Sequence, residues 1–313
     1  MPNLAVLVSH WLPAGEIDRW RREFPDLDFL DGATPGALER ADIAYGLPDL
    51  AQLPAAKKLR WIQLASAGVP AALCDIAQKM NLRVTNLAGL YGPTIAEHAL
   101  AMLLTLNRNL HIAQRNQASA TWDRSVADTM RDLHGKTLAI VGLGDIGSNI
   151  ARLARAFGMR VVGCKRTLAP SRFVDGVYAS ADLATMFAEA DHAAIAAPLT
   201  PGTTGLVGLD ALRALKRGAI LVNVSRGPIV QEDALIEVLR SGHLGGAALD
   251  VFAVEPLPRE HPFWTLPNVL VSPHFSGETV NNSSLPVKRF VRNLRAFLEG
   301  DLQEGLVDLA QGY

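Results

Sequence analysis

Three polar side chains in the second half of the sequence, Arg226, Glu255 and His274, each follow a short apolar run. Histidine titrates close to neutral pH and can supply the proton that a carbonyl oxygen takes up when its carbon receives a hydride. A carboxylate hydrogen-bonded to the imidazole would orient the ring and stabilise its charged form. An arginine can hold a substrate carboxylate by two parallel hydrogen bonds and polarise the neighbouring carbonyl. The trio therefore predicts the interconversion of a 2-oxo acid and a 2-hydroxy acid.

Each member of the trio also has a purely structural alternative. Arg226 could form a salt bridge between domains, and Glu255 before a proline is typical of a turn. A lone histidine such as His274 is most often hydrogen-bonded within the fold. The catalytic interpretation is favoured because all three residues follow successive predicted strands, and the carboxyl ends of parallel strands open onto the ligand crevice.

A glycine-rich turn lies between a predicted strand and a predicted helix. It consists of Gly142, Leu143, Gly144, Asp145, Ile146 and Gly147. Its first glycine permits a tight turn, the second lets a pyrophosphate approach the backbone, and the third allows close contact of helix and strand. The helix N-terminus supplies amide donors and partial positive charge. A glycine turn without a ligand is the alternative, but the strand–turn–helix context predicts a dinucleotide site.

The end of the next predicted strand indicates which dinucleotide binds. About twenty residues after the first glycine, a unit that binds NAD usually carries an acid for the ribose hydroxyls. This sequence has Lys165, Arg166 and Thr167 there instead. Cations would stabilise a 2′-phosphate by charge-assisted hydrogen bonds, so NADP(H) is favoured over NAD(H). The alternative is that both cations are ordinary solvated surface residues.

Composition excludes several classes of partner. The sequence has 313 residues, 49% of them hydrophobic, and 30 Lys and Arg against 31 Asp and Glu. That length suffices for two cores, and the even charge balance offers no basic surface to a nucleic acid or an anionic membrane. Cys74 and Cys164 lie far apart, so we expect neither a disulfide framework nor a metal site. The expected partner is a small molecule or a second copy of the chain.

The N-terminal segment does not predict a targeting signal. Its apolar run Leu4–Val8 has no preceding basic region and is too short for a signal peptide, so it predicts a buried strand. No uncharged stretch approaches the length needed to span a membrane. We therefore expect a soluble, cytoplasmic protein.

Short apolar runs alternate with helix-like segments along the chain, which is typical of parallel sheets covered on both faces. A long helix is predicted from Gly92 through Leu110, and a last amphipathic helix ends at Gly300. The fold class is therefore α/β with two doubly wound units. The predicted strands are 4–8, 43–45, 61–64, 83–85, 137–141, 160–164, 193–196, 219–224, 246–249 and 269–271.

Several ordered motifs together resemble the D-isomer-specific 2-hydroxyacid dehydrogenase family over nearly the whole chain. Besides the glycine turn, they are 95–98, 133–137, 197–205, 223–227, 249–252, 255–257 and 267–274. The resemblance implies a Rossmann dinucleotide-binding domain, residues 100–281, inserted into a flavodoxin-like substrate domain, residues 1–99 and 282–313. It also implies D stereochemistry at the hydroxy acid and a homodimer.

The resemblance assigns roles to individual positions. It implies that Arg226 binds the substrate and that Glu255 and His274 form the acid/base relay. It places the backbone amides of Ser66, Ala67 and Gly68 on the substrate carboxylate. It places Asp250 near the nicotinamide carboxamide. The remaining cofactor-binding positions that it implies are Thr94, Ala197, Pro198, Thr203, Val224, Ser225, His274 and Gly277.

Two departures from the family pattern bear on cofactor and substrate. Lys165 replaces the usual acid, as in the glyoxylate/hydroxypyruvate reductase branch. Phe275, Ser276 and Gly277 follow His274 where smaller apolar residues are commoner, and Phe275 could alter the pocket. The expected activity is a 2-oxo acid reductase. The alternatives are a nicotinamide-sensing corepressor or scaffold, and a dehydrogenase of phosphite or formate.

Overall fold

The computed structural model describes residues 4–166, 168–280 and 283–312. The strands are β1 (Leu4–Val8), β2 (Leu27–Asp31), β3 (Ile43–Tyr45), β4 (Trp61–Gln63), β5 (Arg83–Thr85), β6 (Thr137–Val141), β7 (Arg160–Cys164), β8 (Gly176–Tyr178), β9 (His192–Ile195), β10 (Ile220–Asn223), β11 (Gly246–Leu249) and β12 (Val269–Val271). The α-helices are α1 (Glu16–Glu23), α2 (Ala37–Arg40), α3 (Ala71–Met80), α4 (Gly92–Asn107), α5 (Leu110–Ala118), α6 (Asp145–Ala156), α7 (Leu183–Ala188), α8 (Leu209–Ala214), α9 (Glu232–Arg240) and α10 (Leu285–Glu299).

The chain divides into two compact units, Met1–Leu90 with Val280–Tyr313, and Tyr91–Thr279. The sequence places the boundaries instead at 99/100 and 281/282. The first difference has a simple cause: α4 packs along its length against α6 and β10, so it stays whole within the second unit. A boundary at 99/100 would divide this helix.

The first unit contains a five-stranded parallel sheet in the order β2-β1-β3-β4-β5. This is the flavodoxin-like order of a doubly wound sheet. Helix α10 returns to one face of it, where Phe290 packs against Trp20, Tyr45 and Trp61. The helix ends as the sequence predicts, because Gly300 adopts the left-handed conformation, φ 84°, that terminates a helix.

The second unit contains a seven-stranded parallel sheet in the order β12-β11-β10-β9-β6-β7-β8. Counted from β6, this is the strand order of a dinucleotide-binding Rossmann unit with one added strand. The order reverses between β6 and β9, which are neighbours in the sheet. Ligands of such sheets bind outside the strand carboxyl ends at that reversal. The fold is thus α/β with two doubly wound units, as the sequence predicts.

Three local features differ from the predicted elements. Strands β2 and β8 were not predicted, because both lie at a sheet edge and bury little: β2 contains two aspartates and only Phe29 is buried. The long helix predicted from Gly92 to Leu110 is two helices, because Asn109 adopts a left-handed conformation, φ 51°, between α4 and α5. An amide side chain tolerates this conformation better than most.

Two features are absent from the described residues. None of their helices is both long and apolar enough to cross a membrane. No group of three or more His, Cys, Asp or Glu side chains in this part of the chain is arranged to hold a metal ion.

Candidate active site

The glycine turn follows β6 and opens α6 at the reversal of strand order. Gly142 has φ 95°, and a Cβ there would lie 2.6 Å from the backbone of Ala197, so only glycine fits. A Cβ on Gly147 would lie 1.9 Å from the carbonyl oxygen of Gly142. A Cβ on Gly144, in contrast, would meet no atom within 4 Å. The fold itself therefore requires the first and third glycines, and the second leaves open space in front of the turn.

The amides of this turn are available to an anion. Within the described residues, the backbone N–H groups of Leu143, Gly144, Asp145 and Ile146 have no hydrogen-bond acceptor. They lie at the N-terminus of α6, where the helix dipole adds partial positive charge. Such a row of unpaired donors with open space before it fits a dinucleotide pyrophosphate.

The predicted cations follow β7, next to β6 in the sheet. Lys165 is half-buried, its backbone N–H donates to the carbonyl of Tyr178 at 3.3 Å, and Arg166 is exposed. The ammonium of Lys165 has no ion-pair partner among the described residues. Thr167 lies outside the described residues. The end of β7 thus carries two cationic side chains, those of Lys165 and Arg166.

The loops after β9 and β10 lie against each other. The Ser225 hydroxyl donates to the carbonyl oxygen of Ala197. The Thr203 hydroxyl donates to the carbonyl of Pro198 at 2.7 Å, which closes the turn that follows Ala197. Val224 is buried beside Ser225. These five predicted cofactor-binding residues therefore form one rim at the carboxyl ends of the two central strands.

Two further predicted cofactor positions lie near the start of α4. Thr94 is in the first turn of this helix. Gly92 is packed so closely that a Cβ would lie 2.4 Å from the carboxylate of Asp145, so the N-termini of α4 and α6 are adjacent. A Cβ on Gly277 would contact Ile95 and Tyr91 of the same region at 3.7 Å.

His274 and Glu255 are in direct contact. Nδ1 of His274 lies 2.6 Å from Oε2 of Glu255, and the two side chains are 43% and 34% exposed. The other carboxylate oxygen, Oε1, accepts a hydrogen bond from the backbone N–H of Phe252 at 2.9 Å. Glu255 is therefore anchored through one oxygen while the other orients the imidazole, and Nε2 of His274 is left for a ligand.

The backbone of His274 is held in an uncommon conformation, φ 53°. Its N–H donates to the carbonyl oxygen of Asp250 at 2.9 Å. The Asp250 carboxylate is fully buried and accepts from the backbone N–H groups of Phe275 at 3.2 Å and Ser276 at 3.1 Å. Buried carboxylates are stable only when they are hydrogen-bonded in this way. Asp250 therefore fixes the turn that presents the imidazole.

Arg226 leaves β10 and carries a half-buried guanidinium. Its Nη1 donates to the carbonyl oxygen of Ser225 at 2.6 Å, and no described carboxylate forms an ion pair with it. Asn223 donates to the carbonyl of Arg226 at 3.2 Å. The next residue, Gly227, is packed so tightly that a Cβ would lie 1.9 Å from the backbone of Phe252. The Arg226 loop and the loop that bears Glu255 are thus in contact.

In the first unit, Ser66, Ala67 and Gly68 form the loop after β4. The Asn86 side chain donates to the carbonyl of Ala67 at 2.8 Å, and the Ser66 hydroxyl donates to the carbonyl of Gly68 at 2.9 Å. The three backbone N–H groups find no acceptor in the described part of the chain. The loop is therefore held by its carbonyls, and its amides are available to an anion.

Several supporting residues were not predicted from the sequence. His98 and Ser272 lie next to Asp250, with 3.1 Å between Nε2 of His98 and Oγ of Ser272. His98 belongs to the family-like motif at residues 95–98. Nothing in a single sequence, however, shows that a residue on α4 contacts the end of β12. The close packing of Gly227 was not predicted either. A glycine directly after a strand end can indicate that another backbone approaches closely there.

Comparisons with known proteins show the family that this chain resembles. The profile of the D-isomer specific 2-hydroxyacid dehydrogenase family, NAD binding domain, matches residues 100–276. The glyoxylate reductase of Korarchaeum cryptofilum is 32% identical over 303 residues, which cover 94% of this chain and 90% of that protein.

Two solved structures have the same architecture. A D-isomer specific 2-hydroxyacid dehydrogenase family protein from Aeromonas salmonicida superposes with a TM-score of 0.84 at 32% identity, over 98% of this chain and 99% of that one. The NADPH-dependent glyoxylate/hydroxypyruvate reductase of Sinorhizobium meliloti, solved with NADP and sulfate, gives 0.83 at 26% identity, over 99% and 100%.

Proposed function

The chain belongs to the D-isomer specific 2-hydroxyacid dehydrogenase family and is an NAD(P)-dependent oxidoreductase, and we propose that it acts as a 2-oxo acid reductase that prefers NADPH. The observation that supports this most is the 2.6 Å contact between His274 Nδ1 and Glu255 Oε2 at the edge of the dinucleotide-binding sheet. A carboxylate-bound imidazole with a free second nitrogen is suited to donating a proton to a carbonyl oxygen.

When bound, the nicotinamide cofactor supplies the hydride that the carbonyl carbon accepts. Nε2 of His274 donates the proton that the carbonyl oxygen takes up. Glu255 stabilises the imidazolium before the transfer and keeps the ring oriented after it. Arg226 binds the substrate carboxylate. The backbone amides of Ser66, Ala67 and Gly68 are hydrogen-bond donors that are likewise suited to a carboxylate.

The preference for NADPH rests on Lys165 and Arg166. Both follow β7, where units that bind NAD place an acid, and a 2′-phosphate would be stabilised there by charge-assisted hydrogen bonds. The reductase of Sinorhizobium meliloti, which is NADPH-dependent, has the same fold. Thr167 directly follows these two cations in the sequence, and we include it among the proposed cofactor-binding residues.

The loops of the first unit favour an uncharged substrate side chain. Four segments follow its strands at the carboxyl ends, residues 9–15, 32–36, 46–52 and 64–70, and none contains Lys or Arg. The segment after β5, residues 86–90, has none either. A phosphorylated substrate such as phosphoglycerate needs cations for its phosphate. We therefore propose small or apolar 2-oxo acids, of which glyoxylate and hydroxypyruvate are the first candidates.

The assembly and location of the protein are part of the same proposal. The family resemblance supports a homodimer. The two cysteines, Cys74 and Cys164, are free and buried, which fits a reducing compartment such as the cytoplasm. Size-exclusion chromatography with light scattering tests the first point, and a mass of one chain would exclude the dimer.

The variant His274→Ala tests the catalytic assignment. We expect kcat with a 2-oxo acid to fall by about 10²–10⁴, the usual contribution of a general acid, while the variant still binds NADPH. His134→Ala, in the loop before β6, is the control. Unchanged turnover in His274→Ala would exclude the proposed role. A nicotinamide-sensing protein would bind NADPH without turning over any 2-oxo acid.

A further inference from the structure

The carboxylate of Asp250 has a hydrogen bond from a side chain in addition to those from the turn after β12. Oγ of Ser272 lies 2.6 Å from Oδ1 of Asp250, and the same Oγ lies 3.1 Å from Nε2 of His98 on α4. The Asp250 carboxylate accepts from the backbone N–H groups of Phe275 and Ser276, and the Asp250 backbone carbonyl accepts from that of His274. The three side chains His98, Ser272 and Asp250, here called the His98 chain, therefore connect α4 to that turn.

The direction of the hydrogen bonds in the His98 chain follows from the chemistry of its members. An ionised carboxylate can only accept, so the single hydroxyl proton of Ser272 is donated to Asp250. The only other acceptor near this hydroxyl among the described residues is the sulfur of Met102, at 3.8 Å, which is a far weaker one. Oγ of Ser272 must then accept from His98, so Nε2 of His98 carries a proton.

The surroundings of His98 keep that arrangement at neutral pH. Burial lowers the pKa of His98, and the nearby Asp250 carboxylate opposes this with a smaller effect. The ring is therefore neutral and uses its one proton in the His98 chain. The Phe275 ring packs edge-on against it, with 5.4 Å between centroids and an interplanar angle of 86°. His98 thus contacts the turn both through Ser272 and through Phe275.

We propose that His98 is a positioning residue for the reduction: by donating to Ser272 it fixes the Asp250 carboxylate, which holds the His274 imidazole in place. The proposal rests on the proposed function of His274 as the general acid. His98 itself transfers no proton to the substrate. His98 acts by positioning other groups. A displacement of a catalytic group by about 1 Å can lower the rate 10²-fold.

The substitutions that test the proposal separate the hydrogen bond from simple packing. His98→Leu removes the donor, and His98→Gln keeps an N–H group at a similar distance from the helix. Ser272→Ala removes the middle member, and the double variant His98→Leu/Ser272→Ala tests coupling. His111→Leu is the matched control, because His111 is another half-buried histidine of the same unit whose pKa burial lowers.

We expect His98→Leu to lower kcat about tenfold, since one turn is loosened without loss of the acid itself. The Kd for NADPH should change less than about twofold, and His98→Gln should recover most of the rate. The double variant should be no slower than Ser272→Ala alone, because both changes break one chain. His111→Leu should keep the wild-type kcat.

Amide hydrogen exchange of Phe275 and Ser276 provides a measurement that does not depend on turnover. Both N–H groups donate to Asp250, so their exchange should accelerate about tenfold or more in His98→Leu and Ser272→Ala. If the wild-type enzyme reduces no 2-oxo acid but this exchange still accelerates, the proposed function fails and the positioning of the turn stands.

Three results would overturn the proposal. One is a kcat of His98→Leu within twofold of wild type together with unchanged exchange of the two amides. Another is a His98→Gln variant as slow as His98→Leu, which would make His98 a packing residue only. The third is an additive loss in the double variant. If His98→Leu does not fold, Ser272→Ala and His98→Gln decide the question by the same measurements.

Discussion

Nδ1 of His274 lies 2.6 Å from Oε2 of Glu255, and the second oxygen of the same carboxylate accepts from the backbone N–H of Phe252. One carboxylate therefore ties the loop after β11 to the imidazole after β12. The two strands are neighbours in the sheet. The arrangement leaves Nε2 as the nitrogen that can exchange a proton with a ligand.

The first prediction concerns Glu255. In Glu255→Gln the amide keeps an acceptor for the Phe252 N–H but loses the negative charge that stabilises an imidazolium. We expect kcat to fall about tenfold to a hundredfold, with the free energy of unfolding within about 1 kcal/mol of wild type. Steady-state kinetics and urea unfolding measure the two quantities. Glu260→Gln, an exposed residue nearby, should change neither, and full activity of Glu255→Gln would contradict the assignment.

The second prediction concerns Arg226. A lysine cannot reproduce the two parallel hydrogen bonds of a guanidinium with a carboxylate. Arg226→Lys should therefore raise the KM for the 2-oxo acid at least about tenfold, and Arg226→Gln should lower kcat/KM further, by about 10²-fold or more. The Kd for NADPH should not change.

The control for this prediction is Arg213→Gln on α8. Arg213 forms an exposed ion pair with Glu237 at 2.7 Å, a kind of contact that contributes little. An unchanged KM in Arg226→Lys would mean that this side chain does not hold the substrate carboxylate.

The third prediction concerns the choice of cofactor. Lys165→Asp places at the end of β7 the acid that usually binds the ribose hydroxyls and repels a 2′-phosphate. The ratio of kcat/KM for NADPH to that for NADH should fall about tenfold to a hundredfold, since a charge-assisted hydrogen bond contributes about 1.5–3 kcal/mol. Lys79→Asp, an exposed change on α3, should leave the ratio as it is. A ratio unaffected by Lys165→Asp would remove this residue from the cofactor site.

How far the sequence alone predicts the fold depends on burial. The central strands β6, β9, β10 and β11 are fully buried, so continuous apolar runs mark them. Two of the five residues of the edge strand β2 are aspartates, and no such run identifies it. The break between α4 and α5 depends on the backbone of one residue, Asn109, inside an otherwise continuous helical pattern.

The residues of the candidate site also differ in how far the sequence predicts them. Residue type and place after a strand indicate Arg226, Glu255 and His274, because the parallel sheet itself brings strand ends together. The partners of Asp250 could not be predicted, since His98 and Ser272 are 174 positions apart along the chain. Their meeting is set by how α4 packs on the sheet, which no local pattern encodes.

The fourth prediction concerns stability against pH. His192 on β9 is buried, and this desolvation, more than the nearby charge of Arg131, lowers its pKa to about 4. Its Nδ1 accepts from the Ile220 N–H at 3.3 Å, which requires the unprotonated nitrogen. In the unfolded chain the pKa returns to the usual value of about 6.5. Between these values the unfolded state binds more protons, so stability is present above pH 6.5 and is lost as the pH falls towards 4.

The size of this effect follows from the same two values. His192 should account for a loss of about 2 kcal/mol in the free energy of unfolding between pH 7.5 and 5. In His192→Asn an uncharged amide oxygen takes the place of Nδ1, so that share of the pH dependence should disappear. Urea unfolding at the two pH values measures this loss of stability for the wild type and for His192→Asn. An equal loss in both proteins would contradict the proposed role of His192.

The central claim is that the protein reduces 2-oxo acids with NADPH. The most direct measurement is the loss of reduced-nicotinamide absorbance, with NADPH and NADH in parallel and with glyoxylate, hydroxypyruvate, pyruvate, phenylpyruvate, 2-oxoisocaproate and phosphohydroxypyruvate as substrates. We predict turnover with at least one unphosphorylated acid and a higher kcat/KM for NADPH. Absence of oxidation with every acid, despite measurable NADPH binding, would contradict the claim.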